Sequence, residues 1–150
     1  MARSVRYLFG AAHEQFPPDD LLRQAIEAED AGFDGVACSD HFQPWWEPGE
    51  SGMAWVWLGA VGQATRRVSL GTAVTPALSR YHPALVAQAW ATLEVMFPGR
   101  TFLGIGSGES LNESPAASTG RRRVEAMTEA LELIGRLFDG EHVTHDGHFT

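Results

Sequence analysis

A short apolar run followed by a stretch of helical spacing occurs four times along this chain, and that alternation limits the fold more than anything else in it. The runs are Val5 to Ala12, Phe33 to Cys38, Val68 to Val74 and Thr101 to Ile105, each read as a strand. Pro17-Pro18-Asp19-Asp20 opens a first helix with acidic residues at its start, and Gly32 stops it. Met53 to Thr65 is a second helix, with Trp57, Ala60, Val61 and Ala64 on its apolar face. Pro83 opens a third, with Leu85, Ala89, Leu93 and Met96 expected along one side. A polar loop from Ser114 to Gly120 leads into a fourth, whose expected stripe is Val124, Met127, Leu131, Ile134 and Phe138. Strands alternating with helices predict an α/β fold, a parallel sheet with helices packed outside it. No linker or low-complexity segment interrupts the pattern.

Composition narrows the function classes. The 150 residues are enough for one cored domain, and 44% apolar with 20% charged residues fits a globular chain. A formal net charge of −8 repels phosphate backbones, so no nucleic acid and no anionic membrane surface is expected as a partner. The single Cys38 ends an apolar strand and is read as packed. No run of 18 apolar residues and no signal-type leader is present, so the expected location is the cytoplasm.

In parallel α/β folds, chemistry sits where strands end and loops begin. The most informative such stretch is Ser39-Asp40-His41-Phe42-Gln43-Pro44-Trp45, directly after the second strand. It places an acid and a histidine at a strand end, next to the large apolar surface of Phe42, Trp45 and Trp46, which is costly on a loop unless it covers a pocket or a partner. The first strand ends in His13 and Glu14, the third in Thr75, and the fourth in Ser107, Gly108, Glu109 and Asn112. On a parallel sheet these ends converge on one face. Gly104-Ile105-Gly106-Ser107-Gly108 lacks the third glycine of a dinucleotide fingerprint, yet it allows close approach of a flat ring or a phosphate. His142, His145 and His148, three apart on a turn-rich tail, do not share a ligand face, and no metal site is assigned. Arg121-Arg122-Arg123 opens the last helix and reads as a solvated turn, with an anion contact as the alternative, and Trp55, Trp57 and Trp90 read as core or interface.

Four motifs in order resemble the luciferase-like monooxygenase superfamily, in its branch of deazaflavin-dependent oxidoreductases. They are Ser39 to Trp45; Leu70-Gly71-Thr72-Ala73-Val74; Arg80-Tyr81-His82-Pro83 running into Ala87-Gln88-Ala89; and Leu103 to Glu113. The tail from Gly140 to Phe149 resembles the family segment after the fourth helix. The resemblance implies a (β/α)8 barrel with coenzyme F420 across the C-terminal strand ends. By the same resemblance, Asp40 and Asn112 bond the deazaflavin ring. Ser107, Gly108 and the end of the third strand, at Ala73, Val74 and Thr75, pack against it, with a non-proline cis peptide at Ala73-Val74. His41, Trp45 and Glu109 surround the reacting carbon, where hydride passes to or from an alcohol or an activated double bond while an acid/base pair handles protons. The substrate is a small molecule, a sugar phosphate being one candidate, and the full-length family member is a homodimer.

A (β/α)8 barrel runs to roughly 250 residues. The expectation is therefore the N-terminal half of a luciferase-like barrel over residues 1–150, its C-terminal half absent, and a truncated, inactive form. Two alternatives stand beside it: an FMN-dependent monooxygenase of the same superfamily, and a non-catalytic half-barrel that only self-associates.

Overall fold

A computed structural model describes residues 5–78, 80–109, 111–112 and 121–149. It has four strands, β1 (Leu8–Ala11), β2 (Gly35–Cys38), β3 (Ser69–Pro76) and β4 (Thr101–Gly106), alternating with helices α1 (Pro18–Asp30), α2 (Ala54–Ala64), α3 (Pro83–Met96) and α4 (Arg121–Phe138). The strands form one parallel sheet in sequence order, β1-β2-β3-β4. Parallel neighbours in chain order, each linked through a helix, make four consecutive β/α units: half of a (β/α)8 barrel.

Local sequence accounts for the element ends. Pro18 sits in the first turn of α1, where its missing N–H costs nothing, and Asp19 and Asp20 face the positive end of the helix. Gly32, at φ +93°, takes the left-handed turn into β2. His82 caps α3 by accepting from the Ala84 N–H. The Glu29 carboxylate accepts from the backbone N–H groups of Arg66, Arg67 and Val68, tying the end of α1 to the start of β3. Arg100 bonds the carbonyls of Gly62, Thr65 and Val68 and so joins α2, β3 and β4 at the same end.

Two apolar clusters hold the layers together. One packs Leu21, Ala25, Val36, Leu58, Val61 and Leu70 between α1, α2 and the first three strands. The other packs Ala77, Val86, Ala130, Leu133, Ile134 and Phe149 between α3, α4 and the tail. Each fully buried leucine or valine contributes about 1.5–3 kcal/mol. Phe149 is held by its N–H bond to Glu129, whose carboxylate also lies 2.8 Å from His145 Nε2, so His145 is spent on the tail. Among the described residues, no His/Cys/Asp/Glu group could hold a metal, and no helix is long and apolar enough to cross a membrane.

Three expectations are corrected. β3 does not stop at Val74 but runs through Thr75 and Pro76, which pair with Ile105 and Gly106 across a register shift between Thr72 and Thr75. On α3, Leu85 and Met96 are exposed, and the buried side is Val86, Ala87 and Leu93. On α4, Val124, Leu131 and Phe138 are exposed, and the buried side is Ala126, Ala130, Leu133 and Ile134. The buried sides thus mix alanines with Val86, Leu93, Leu133 and Ile134. Cys38 is buried, as are Trp57 and much of Trp55 and Trp90. The polar loop expected from Ser114 to Gly120, together with Ser110 and Glu113 of the fourth motif, lies outside the described residues.

Candidate active site at the strand C-termini

The C-terminal ends of all four strands open onto one face, and the residues beyond them meet there. His41, just past β2, lies between two carboxylates. Its Nδ1 bonds Glu14 Oε1, from the loop after β1, and its Nε2 lies 3.5 Å from Glu109 Oε1, from the loop after β4. Glu14 is buried and also accepts from the Ser39 hydroxyl at 2.9 Å. A carboxylate at Nδ1 favours a proton on that nitrogen, and Nε2 faces the cleft rim beside Glu109.

Glu109 Oε1 accepts from Trp45 Nε1 and from Asn112 Nδ2, both at 2.8 Å. Partial burial pulls its pKa up, but these two donors and the neighbouring His41 outweigh that and hold it below the usual carboxylate value. Glu109 is therefore ionised at neutral pH. Asn112 Oδ1 accepts from the Phe42 and Gln43 N–H groups, so the His41 loop and the Glu109 loop are stitched through one side chain. The Trp45 ring lies 5.1 Å from the His41 ring.

The cleft beside this array measures about 340 Å³. Its floor is the backbone of Gly106, Ser107 and Gly108, and its walls are Val74 and Pro76 on one side and His41, Glu109 and Asn112 on the other. Glycine is required in the floor: a Cβ at Gly106 would come within 2.3 Å of the Val74 side chain. Gly108 has φ +71°, and Arg123 donates to its carbonyl at 3.4 Å. A glycine floor against an aliphatic wall, with polar groups at one rim, fits a flat ring bearing one reactive edge.

Asp40 does not face this cleft. It is fully buried, accepting from Thr75 Oγ1 at 2.7 Å and Tyr81 O–H at 3.2 Å, with Arg80 Nη1 3.0 Å away. Burial, then the Asp40 charge, pushes the Tyr81 hydroxyl far up, and burial with the same charge keeps the Cys38 thiol protonated. Thr75 is buried with Asp40, behind the cleft wall, and Ala73 is outside the cleft lining. The Ala73–Val74 peptide is cis. Of the residues singled out from sequence, His41, Trp45, Glu109, Asn112, Ser107, Gly108 and Val74 thus come together, while Asp40 and Thr75 form a buried layer behind and Ala73 is exposed on β3 outside the cleft lining. Glu14 and Ser39 received no role from sequence. The available signal for Glu14 was positional: an acid at the end of β1, level with the acid-histidine pair at the end of β2.

The sequence profile of the luciferase-like monooxygenases matches residues 6–150. An F420-dependent glucose-6-phosphate dehydrogenase from Nakamurella multipartita is 47% identical over 149 residues, 97% of this chain and 44% of that protein. An F420-dependent hydroxymycolic acid dehydrogenase from Mycobacterium tuberculosis is 46% identical over 142 residues, 92% of this chain and 39% of that protein. Among solved structures, an F420-dependent secondary alcohol dehydrogenase in complex with an F420-acetone adduct superposes with a TM-score of 0.94 at 38% identity, over 99% of this chain and 46% of that one. The oxygenating constituent of an FMN-bound diketocamphane monooxygenase from Pseudomonas putida shares the fold at 21% identity and a TM-score of 0.79. The chain spans less than half the length of the curated relatives described. By its profile match over residues 6–150, the chain belongs to the luciferase-like monooxygenase family.

Proposed function

We propose that this chain carries the coenzyme face and acid/base residues of an F420-dependent oxidoreductase that interconverts a small alcohol and its carbonyl compound. The observation that carries the reading is the Glu14–His41–Glu109–Trp45 array standing at the rim of a glycine-floored cleft. The relatives with 46–47% identity are named for F420, which favours the deazaflavin over FMN.

A bound coenzyme would supply the hydride chemistry. This chain's residues do the rest. Ser107, Gly108 and Val74 would hold the coenzyme ring, and Asn112 sets the rim. Asp40 acts from behind, fixing Thr75 and the end of β3. A substrate hydroxyl at the rim would give its proton to His41 Nε2, the face left as acceptor by the Glu14 bond. Glu14 on one side and ionised Glu109 on the other then stabilise the protonated imidazole. Trp45 closes the edge with its N–H directed at Glu109. The substrate is a small molecule; a sugar phosphate remains one candidate and a secondary alcohol another. Residues 1–150 are read as the N-terminal half of the barrel and as inactive alone. The full-length protein is read as a cytoplasmic homodimer.

Titrating the chain with F420 and, separately, FMN, followed by cofactor fluorescence, tests the reading. Saturable binding of F420 with weaker or no binding of FMN is expected. Preference for FMN would replace it with the monooxygenase reading. Self-association by a folded chain that binds neither would favour a non-catalytic half-barrel.

A further inference from the structure

His13 is the one buried histidine that the chemistry above does not use. It is fully buried, and neither ring nitrogen has a hydrogen-bond partner among the described residues. An imidazole with no partner at either nitrogen is costly to bury, so its place in the fold calls for a reason. Its surroundings supply one. One side meets Trp57 edge to face, with ring centroids 4.9 Å apart at 90°. Trp57 is itself pinned by its Nε1 bond to the Pro18 carbonyl. The other side meets Gly52 so closely that a Cβ there would lie 2.4 Å from His13 Nδ1.

Gly52 ends the loop that ties the first two strand ends together. The Glu50 N–H bonds the Glu14 carbonyl at 3.1 Å. The Ser51 hydroxyl lies 3.0 Å from the His41 carbonyl and 2.7 Å from that of Phe42. The position of His13 therefore sets where Gly52 can sit, and Gly52 sets Glu50 and Ser51, which touch both partners of the Glu14–His41 pair.

We propose that His13 is a positioning residue, a neutral wedge between Trp57 and Gly52 that holds the 49–52 loop against Glu14 and His41 and releases it on protonation. Only the neutral ring fits, because a second N–H would be buried without an acceptor. The charged groups facing it are Glu14, its neighbour in sequence, and Asp40 at the end of β2; Trp57, Pro18 and Gly52 bring none. Burial pushes the His13 pKa down, and the two carboxylates offset that only in part. The folded value lies below the unfolded one, so the hold is complete above about pH 6.5 and is lost as pH falls through the lowered value. The inference concerns the Glu14–His41 pair and stands whether the coenzyme is F420 or FMN.

The test follows the His41 Nδ1 proton in the histidine-labelled 150-residue chain by NMR, without coenzyme, and assigns it by its loss in His41→Gln. The His13→Phe variant separates the effect of His13 from any effect that arises in His41 itself. In the wild-type chain the proton is expected to be protected at pH 8 and to exchange at least about tenfold faster once His13 titrates, a change of about 1.4 kcal/mol. His13→Phe, which fills the space and cannot be protonated, should keep the protection to lower pH. Ser51→Ala, which cuts the tie beyond the wedge, should lose it at pH 8 in a folded chain. The proposal is overturned if His13→Phe shows the wild-type pH dependence, or if Ser51→Ala leaves the protection unchanged.

Discussion

Asp40 and Glu109 show how differently two carboxylates of one site are used. Asp40 is enclosed with Arg80, Tyr81 and Thr75, so its removal leaves a guanidinium that is mostly buried without its counter-ion. Asp40→Ala is expected to cost about 3–5 kcal/mol, read from urea denaturation. Asp40→Asn, which keeps the shape and one acceptor, should cost clearly less. Glu109 is 42% exposed at its side chain and faces the cleft. In a completed barrel, Glu109→Gln should keep coenzyme binding within a few-fold and lose most of kcat; an unchanged kcat would remove it from the proton chemistry. The sequence showed both acids at strand ends but not which way either points. Asp40 turns inward because Arg80 and Tyr81, forty residues later, offer it partners, and no local pattern carries that. The role of Glu14 was hidden for the same reason: its partner arrives from the next strand.

At the scale of elements, strand and helix order was legible throughout, because Pro and Gly punctuate each unit and the apolar runs are short. Helix faces were read less well. On α3 and α4 the large residues Leu85, Met96, Val124 and Leu131 are exposed, while Val86, Leu93, Leu133 and Ile134 are buried together with alanines, because packing against neighbouring elements and not residue size decides the inward side. Two glycines of α2 make the same point in opposite directions. At Gly62 a Cβ would lie 2.2 Å from the Phe97 ring, whereas at Gly59 nothing stands within 4 Å. Gly62→Ala should destabilise the chain by about 1–3 kcal/mol through overpacking. Gly59→Ala should stabilise it by about 0.5–1 kcal/mol, the helix-propensity gain. The pair is measured together by thermal and urea unfolding, and equal effects at both sites would refute the packing account. Glu29 joins two elements instead of filling one. Burial pulls its pKa up, but the backbone N–H groups of Arg66, Arg67 and Val68, just before β3, hold it lower overall. Its stabilising contribution is therefore full above the unfolded carboxylate value and lost as pH falls through the lowered one. Glu29→Gln should flatten that part of the acid limb of the stability curve, while a curve identical to the wild type would mean the bonds add nothing.

The whole molecule is shaped by a sheet that pairs each strand only with its sequence neighbours. β1 bonds β2 and β4 bonds β3, so among the described residues the outer edges of β1 and β4 carry unpaired backbone groups. Around β1, Val5, Tyr7 and Leu8 are 72%, 67% and 41% exposed, which puts apolar side chains beside an open edge. Exposed edges of this kind template pairing with another chain. A net charge of −8 opposes approach of two copies, yet it acts over a Debye length of only about 8 Å at physiological salt. The 150-residue chain is therefore expected to self-associate in a concentration-dependent way, and more strongly as salt screens the charge. Sedimentation velocity across a range of concentrations, at low and at physiological salt, measures this. Replacing Leu8 by Lys, which puts a charge at the β1 edge, should shift the equilibrium toward monomer while leaving the circular dichroism spectrum unchanged. A chain that stays monomeric throughout, or a Leu8→Lys variant that associates as readily as the wild type, would show that these edges are not where the copies meet.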